Sequence, residues 1–269
     1  MEYQNFDCQI DDGCARIRMI GPGSPRLEDL GDEFLDLGLR LQEDRGVRCL
    51  LLTDGDHAFE FHHELADLSR AQSSADGIGR LDAGTEMSRK IVTLMAELPK
   101  PIIAATRGDI RNFGLGFFMA ADIRLATSSA TFTAPDLSAG LLPGWGLSYT
   151  LPRLIGPGRT LEFLTARRTL QAQEAFRIGL LDRLIEEEQW EEEIDTLVQR
   201  LRLIPQPAFH LLKLGVQQSV NLDYTTMLSL EWESQQQCWQ SLETSEGLLA
   251  WQEGRDPVLG VDTSGDQDD

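Results

Sequence analysis

The chain has 269 residues, enough for one large domain with a sizeable buried core. Its 24 lysines and arginines stand against 44 aspartates and glutamates, which gives a formal net charge of -20. This acidity argues against a nucleic-acid groove and against docking on an anionic membrane, so we predict neither partner.

Cysteine spacing and the absence of apolar spans indicate the compartment. Cys8, Cys14, Cys49 and Cys238 lack the spacing of a zinc site or of a disulfide framework. No basic segment followed by an apolar one opens the chain, and no uncharged stretch is long enough for a membrane span. We therefore expect a soluble cytoplasmic protein with reduced thiols.

Strand and helix patterns alternate through the first half of the chain. Residues 14–20 alternate like a half-buried strand, whereas 47–53 and 102–105 are short apolar runs typical of buried strands. Residues 27–42 and 83–98 have helical spacing, and a Pro-Lys-Pro stop follows the second. This order predicts an α/β fold with right-handed crossovers.

The second half is almost entirely helical in pattern from residue 161 onward, including 172–179, 190–203 and 224–239. The last residues are acidic and of low complexity. We divide the chain into an α/β core (1–200), a helical region (201–260) and an acidic disordered tail (261–269).

A glycine-bearing turn lies between a buried strand and an apolar helix within residues 104–122. Backbone amides at such a helix start can bind an oxyanion. Gly114 and Gly116 are equally consistent with close helix packing. The GxGxxG and Walker spacings are absent, so no nucleotide fingerprint is indicated.

One carboxylate, Asp136, lies in a stretch rich in Gly and Pro, residues 132–146. A carboxylate there either carries a proton in a reaction or caps the turn beside Pro135. The residues alone favour the cap.

In order along the chain, these segments resemble the crotonase family, the enoyl-CoA hydratase/isomerase superfamily. The resemblance runs through 98–126, 135–156, 172–182 and 246–257, and so covers nearly the whole chain. It implies a crotonase-like ββα spiral core with a C-terminal helical region. It also implies an acyl-CoA thioester as substrate, no separate cofactor or metal, and a homo-oligomer, a trimer or hexamer.

The resemblance assigns catalytic positions. In the family, two backbone N–H groups bind the thioester oxygen and stabilise the enolate, and they fall on His63 and Phe113. The first of two catalytic glutamates falls on Gly116, and the second falls on Asp136. A two-glutamate hydratase is therefore not indicated, whereas a single carboxylate suffices for double-bond isomerisation of an enoyl-CoA.

The environment of the carboxylate gives a further expectation. Burial of Asp136 between Trp145, Leu141 and Phe117 predicts a raised pKa, as a proton shuttle at neutral pH requires.

Other residues are candidates for the acyl pocket, each with a plainer alternative. His62 and His63 are candidates for a base or electrophile near the thioester; alternatively, one is a surface histidine and the other a satisfied core histidine. Arg111 and Asn112, with Asp109, contact a polar acyl group or are exposed loop residues. Tyr149 donates to an enolate or simply packs.

The resemblance also suggests how coenzyme A binds. Phe61, in the loop 59–65, lies near the adenine, and Lys213 and Arg255 lie near the phosphates. An acyl-carrier-protein thioester is an alternative donor, although such carriers are acidic like this chain.

Two further functions stay open. One is another crotonase chemistry, such as decarboxylation, C–C hydrolysis or polyketide tailoring. The other is an acyl-CoA-binding or scaffolding protein without catalysis. Its support is that His63 and Phe113 stand where the family commonly has alanine or glycine, and that Gly116 stands where it has a glutamate.

Overall fold

The computed structural model describes residues 3–20, 27–54, 59, 73 and 77–260. Nine strands form two sheets within these residues. In chain order, the strands are β1 (Phe6–Asp11), β2 (Cys14–Met19), β3 (Cys49–Thr53), β4 (Ile102–Thr106), β5 (Asp109–Arg111), β6 (Ile123–Thr127), β7 (Thr131–Thr133), β8 (Thr169–Gln171) and β9 (Arg183–Ile185).

The larger sheet has six strands in the order β1-β2-β3-β4-β6-β9. Only β1 and β2 are antiparallel; the remaining pairs are parallel. The smaller sheet has the order β5-β7-β8, in which β5 and β7 are parallel and β8 runs antiparallel to β7. From β4 onward the chain therefore crosses repeatedly between the sheets, with β4, β6 and β9 in the larger sheet and β5, β7 and β8 in the smaller one.

Ten α-helices surround these sheets in the described chain. They are α1 (Leu27–Glu43), α2 (Gly77–Glu97), α3 (Phe113–Met119), α4 (Leu147–Ile155), α5 (Pro157–Thr165), α6 (Ala172–Ile178), α7 (Trp190–Arg202), α8 (Gln206–Gln218), α9 (Tyr224–Trp239) and α10 (Leu242–Glu253).

Both faces of the larger sheet are buried, which is why its parallel strands are continuous apolar runs. On one face, side chains such as Leu50 and Leu52 pack toward α1 and α2 in the main core. On the other face, Leu51 and Ile103 pack with Trp190 and other residues of α7.

The C-terminal helices are joined to the core by buried charges. Arg48, which directly precedes β3, forms an ion pair with Glu243 of α10 at 2.6 Å. The outer surfaces of these helices expose large apolar side chains, including Trp232 and Trp251. Such a surface is typical of an interface; the trimer or hexamer stays a prediction.

The structure confirms the predicted α/β class and the main predicted elements. The predicted strand 14–20 corresponds to β2, and the predicted helix 27–42 to α1. The second predicted helix begins six residues earlier than expected, at Gly77. The region after 161 also contains β8 and β9, which the pattern did not indicate.

The division at residue 200 stays a prediction, and the tail 261–269 lies outside the described residues. Among the helices that the structure describes, none combines the length and apolarity needed to cross a membrane.

Candidate active site

The turn between β5 and α3 has a strained backbone. Asn112 has φ 50° and ψ -124°, a combination that glycine adopts easily and other residues adopt at a cost of about 1–3 kcal/mol. The Leu115 amide donates to the Asn112 carbonyl oxygen at 3.2 Å, and Phe113 begins the helix. Strain of this kind clusters at functional sites.

Gly114 is required by the close approach of another segment. A Cβ on Gly114 would lie 1.5 Å from the carbonyl oxygen of Phe59. Phe59 itself is fully buried, and its ring lies 5.6 Å from that of Phe118. Phe59 is therefore held against the first turn of α3.

Three predicted residues lie two to four positions after Phe59 in sequence. Phe61, His62 and His63 lie outside the described residues, so their roles stay predictions. The position of Phe59 brings the start of their segment beside the turn that carries Phe113.

Asp54, which the sequence analysis did not single out, connects β3 to the same region. Its carboxylate accepts hydrogen bonds from the backbone amides of Arg107 and Gly108, at 2.8 and 3.0 Å, and from the Thr106 hydroxyl at 3.0 Å. The sequence feature that could have identified Asp54 is its position directly after a buried strand. Asp54 fixes the turn that leads from β4 into β5.

Asp136 precedes a short 3-10 turn and caps it. One carboxylate oxygen accepts from the Ser138 amide at 2.9 Å, and the other pairs with the Arg167 guanidinium. The Ser138 amide, and after it the charge of Arg167, hold the pKa of Asp136 below its usual range. The expectation of a raised pKa is therefore wrong, and Leu141, expected to bury the carboxylate, is 43% exposed.

Arg167 was not predicted from the sequence. It lies 31 residues beyond Asp136, in the turn between α5 and β8, with φ 52°. Its side chain is well exposed, and its charge is directed to the one carboxylate that the resemblance places in the site. In the sequence, Arg167 and Arg168 simply follow a helix, and nothing in that pattern indicates that Arg167 pairs with Asp136.

The Trp145 side chain packs directly over Gly116. Gly116 is buried within α3, and a Cβ built on it would lie 2.1 Å from the Cβ of Trp145 and 2.8 Å from its Cγ. The indole is buried and meets the Phe117 ring edge-on at 6.1 Å. Position 116 thus has neither a carboxylate nor room for one.

The remaining pocket candidates are exposed and paired locally. Arg111 forms an ion pair with Asp109 at 2.6 Å, and Asp109 accepts from the Thr131 hydroxyl. Tyr149 is 49% exposed, and the Arg153 guanidinium lies 3.3 Å from its ring centroid. These contacts agree with the plainer alternatives for Arg111 and Tyr149.

Lys213 has a structural position instead of the predicted phosphate contact. It is buried, and its ammonium group donates to the Met95 carbonyl oxygen at 2.8 Å and to the Asp122 carboxylate at 3.0 Å. Burial lowers the pKa of Lys213 and raises the pKa of Asp122. The lysine is therefore buried and paired within the protein, which disfavours the predicted phosphate contact.

Arg255 is also engaged. Its guanidinium pairs with Glu246 at 2.5 Å and with Glu253 at 2.7 Å. These two carboxylates compete with a phosphate for the charge, which disfavours the predicted contact.

Solved enoyl-CoA hydratases share this fold. A structure of an enoyl-CoA hydratase/isomerase from Cupriavidus metallidurans CH34 superposes with a TM-score of 0.81 at 28% identity, covering 96% of each chain. An enoyl-CoA hydratase from Bacillus anthracis superposes with a TM-score of 0.83 at 25% identity, over 95% of this chain and 98% of that one. These similarities confirm the predicted crotonase fold.

Sequence comparison gives the family. The model described as enoyl-CoA hydratase/isomerase matches residues 27–260, so the chain belongs to that family. The chain is also similar to the crotonyl-CoA hydratase of Syntrophomonas wolfei, with 29% identity over 259 residues, 95% of this chain and 97% of that protein. The predicted membership of the crotonase superfamily is confirmed.

Proposed function

We propose that this protein processes an acyl-CoA thioester, and that it moves the double bond of a 3-enoyl-CoA to the 2-position with Asp136 as the base. Membership of the enoyl-CoA hydratase/isomerase family supports the acyl-CoA substrate. One observation carries the choice of reaction. Of the two positions where hydratases of the family place acids, Gly116 has no carboxylate and no space for one, whereas Asp136 retains its carboxylate.

The reaction needs one group that accepts and returns a proton. The Asp136 carboxylate removes a proton from C2, and the electron pair delocalises onto the thioester oxygen and toward C4. The backbone N–H groups of Phe113 and His63 stabilise the charge on that oxygen, which develops only in the transition state. Asp136 then delivers the proton to C4, leaving the double bond between C2 and C3.

The contacts of Asp136 fit a base that is ionised in the resting protein. An aspartate with its ordinary pKa of about 3.9 is already ionised at neutral pH. Hydrogen bonding by Ser138 and the charge of Arg167 lower the pKa of Asp136 further, so the carboxylate is in the form that accepts a proton. A low pKa also makes it a weaker base. The oxyanion-binding amides must therefore stabilise the enolate strongly, because this stabilisation is what makes the C2 proton acidic enough for a weak base to remove.

The proposal is tested by following 3-enoyl-CoA in deuterated water by mass spectrometry. The wild-type protein should form 2-enoyl-CoA, with deuterium at C4 to the extent that the protonated Asp136 exchanges with solvent before it delivers the proton. Asp136→Asn should lower turnover by at least about a hundredfold, the lower end of what a positioned base contributes. Asp195→Asn, which removes a carboxylate paired with Arg16 on the distant surface of α7, should leave turnover unchanged. Full turnover in Asp136→Asn would contradict the assignment of Asp136 as the base.

One observation favours the second candidate, an acyl-CoA-binding protein without catalysis. Both oxygens of Asp136 already have partners, and its pKa is lowered instead of raised. That candidate predicts neither double-bond migration nor deuterium incorporation by the wild-type protein, and equal acyl-CoA affinity in Asp136→Asn. Calorimetric titration with a non-reactive acyl-CoA, run beside the exchange assay, separates the two functions.

A further inference from the structure

Trp145 has an unusual backbone for a large residue. Its φ is 51°, and its neighbours Gly144 and Gly146 have φ of 65° and 71°. Glycine adopts this region freely, whereas a bulky side chain there is a rare outlier. A tryptophan at this position is kept only where the surrounding structure holds it.

The surroundings hold it through the indole. Trp145 is 4% exposed, and its ring packs edge-on against Phe117, which is fully buried beneath it. The first atoms of the same side chain lie over the Cα of Gly116. A glycine at 116 is the residue that allows this packing, so the two positions form one unit.

The packing of Trp145 over Gly116 bears on the site, because of the role that the resemblance gives to position 116. The resemblance places the first catalytic acid of the family's hydratases at position 116. Here the Cβ and Cγ of Trp145 take the space into which any side chain on residue 116 would begin to extend. A water molecule that is to react needs several polar partners to hold it, and the carbon surface of an indole provides none.

We infer that Trp145 is a specificity-determining residue that excludes the reacting water from the site. The inference rests on the proposed function and deepens it. With water excluded from C3, the enolate formed at C2 is reprotonated at C4, and no hydroxyl group is added. Hydration would instead add the oxygen of water to C3 and a proton to C2 of the 2-enoyl-CoA. Trp145 therefore selects for isomerisation against hydration.

The test measures both reactions on the same samples. Each protein is incubated with 3-enoyl-CoA in deuterated water, and separately with 2-enoyl-CoA in ¹⁸O-labelled water, and 3-hydroxyacyl-CoA is quantified by mass spectrometry. The variants are Trp145→Ala, which keeps the Cβ over Gly116, and the double variant Gly116→Glu/Trp145→Gly, which removes the clash and restores an acid. Trp190→Phe, at a second tryptophan buried to the same extent on the other face of the sheet, is the matched control.

The double variant should raise the ratio of hydration to isomerisation by at least about a hundredfold, the lower end of what one positioned acid contributes. Trp145→Ala should raise it by a smaller factor, and Trp190→Phe should leave it at the wild-type value. If neither Trp145 variant raises the ratio, or if the wild-type protein hydrates as fast as it isomerises, the inference is overturned.

Failure of the proposed function gives a different pattern. In that case the wild-type protein shows neither double-bond migration nor deuterium incorporation. A gain of ¹⁸O-labelled product in the double variant still supports the role of Trp145, because that measurement starts from 2-enoyl-CoA and does not need the isomerase step. Absence of that gain in both Trp145 variants overturns the inference whatever the wild-type protein does.

Discussion

Lys213→Met tests whether this lysine stabilises the fold or binds coenzyme A. The Lys213 side chain is 5% exposed, and the side chain of its partner Asp122 is 18% exposed. Removing the cation leaves the Asp122 carboxylate buried with the Ile102 amide as its donor at 2.9 Å, and removes the donor to the Met95 carbonyl. Breaking a buried pair by deleting one partner costs about 3–5 kcal/mol.

A loss of that size is a large fraction of the free energy of unfolding, which is about 5–15 kcal/mol for a typical domain. Urea unfolding followed by circular dichroism should therefore show a clearly lower midpoint at an unchanged slope. Lys90→Met, at an exposed position of α2, is the control and should stay within about 0.5 kcal/mol.

A second variant isolates the pair. Lys213→Met/Asp122→Asn removes the uncompensated charge and retains the acceptor for the Ile102 amide, so part of the lost stability should return. Contacting residues couple by about 0.5–3 kcal/mol. Acyl-CoA affinity, measured where the variants are folded, should equal that of the wild-type protein. Unchanged stability together with a weaker acyl-CoA complex refutes the structural role and restores the predicted phosphate contact.

Two further predictions concern the site. Arg167→Gln should raise the pKa of Asp136, because it removes a cation that lowers this pKa. Activity requires the carboxylate form, so the acidic limb of kcat/KM should move to higher pH, and a limb that does not move contradicts the role of Arg167. Gly116→Ala should lower the free energy of unfolding by about 1–3 kcal/mol, the usual cost of overpacking. Gly116→Ala should cost the same when it is combined with Trp145→Ala, which keeps the clashing Cβ, and should cost nothing when it is combined with Trp145→Gly. If urea unfolding shows that Gly116→Ala costs as much in the Trp145→Gly protein as in the Trp145→Ala protein, the geometry is contradicted.

Local patterns predicted the longer elements of the fold. The amphipathic spacing of α1 and the alternation of β2 are properties of the residues themselves, so both were found within one residue of their ends. Strands β5, β7, β8 and β9 have three residues each. Three residues contain too little periodicity, and these strands exist because partner strands align them.

The order of motifs predicted the family and the positions of Gly116 and Asp136, but not the surroundings of either. Asp136 was expected to be buried between Trp145, Leu141 and Phe117. In the structure, Ser138 and Arg167 are its partners, and Leu141 faces outward. Sequence proximity to apolar residues does not determine burial.

The sequence by itself determined the α/β class, the crotonase family and the absence of an acid at position 116, because each follows from residue types and their order. Only the tertiary structure decided that Trp145 fills the space over Gly116, that Arg167 pairs with Asp136, and that Lys213 is buried. The partners in each pair are distant in sequence. Their contacts arise from the packing of separate helices and turns, which no local pattern of residues records.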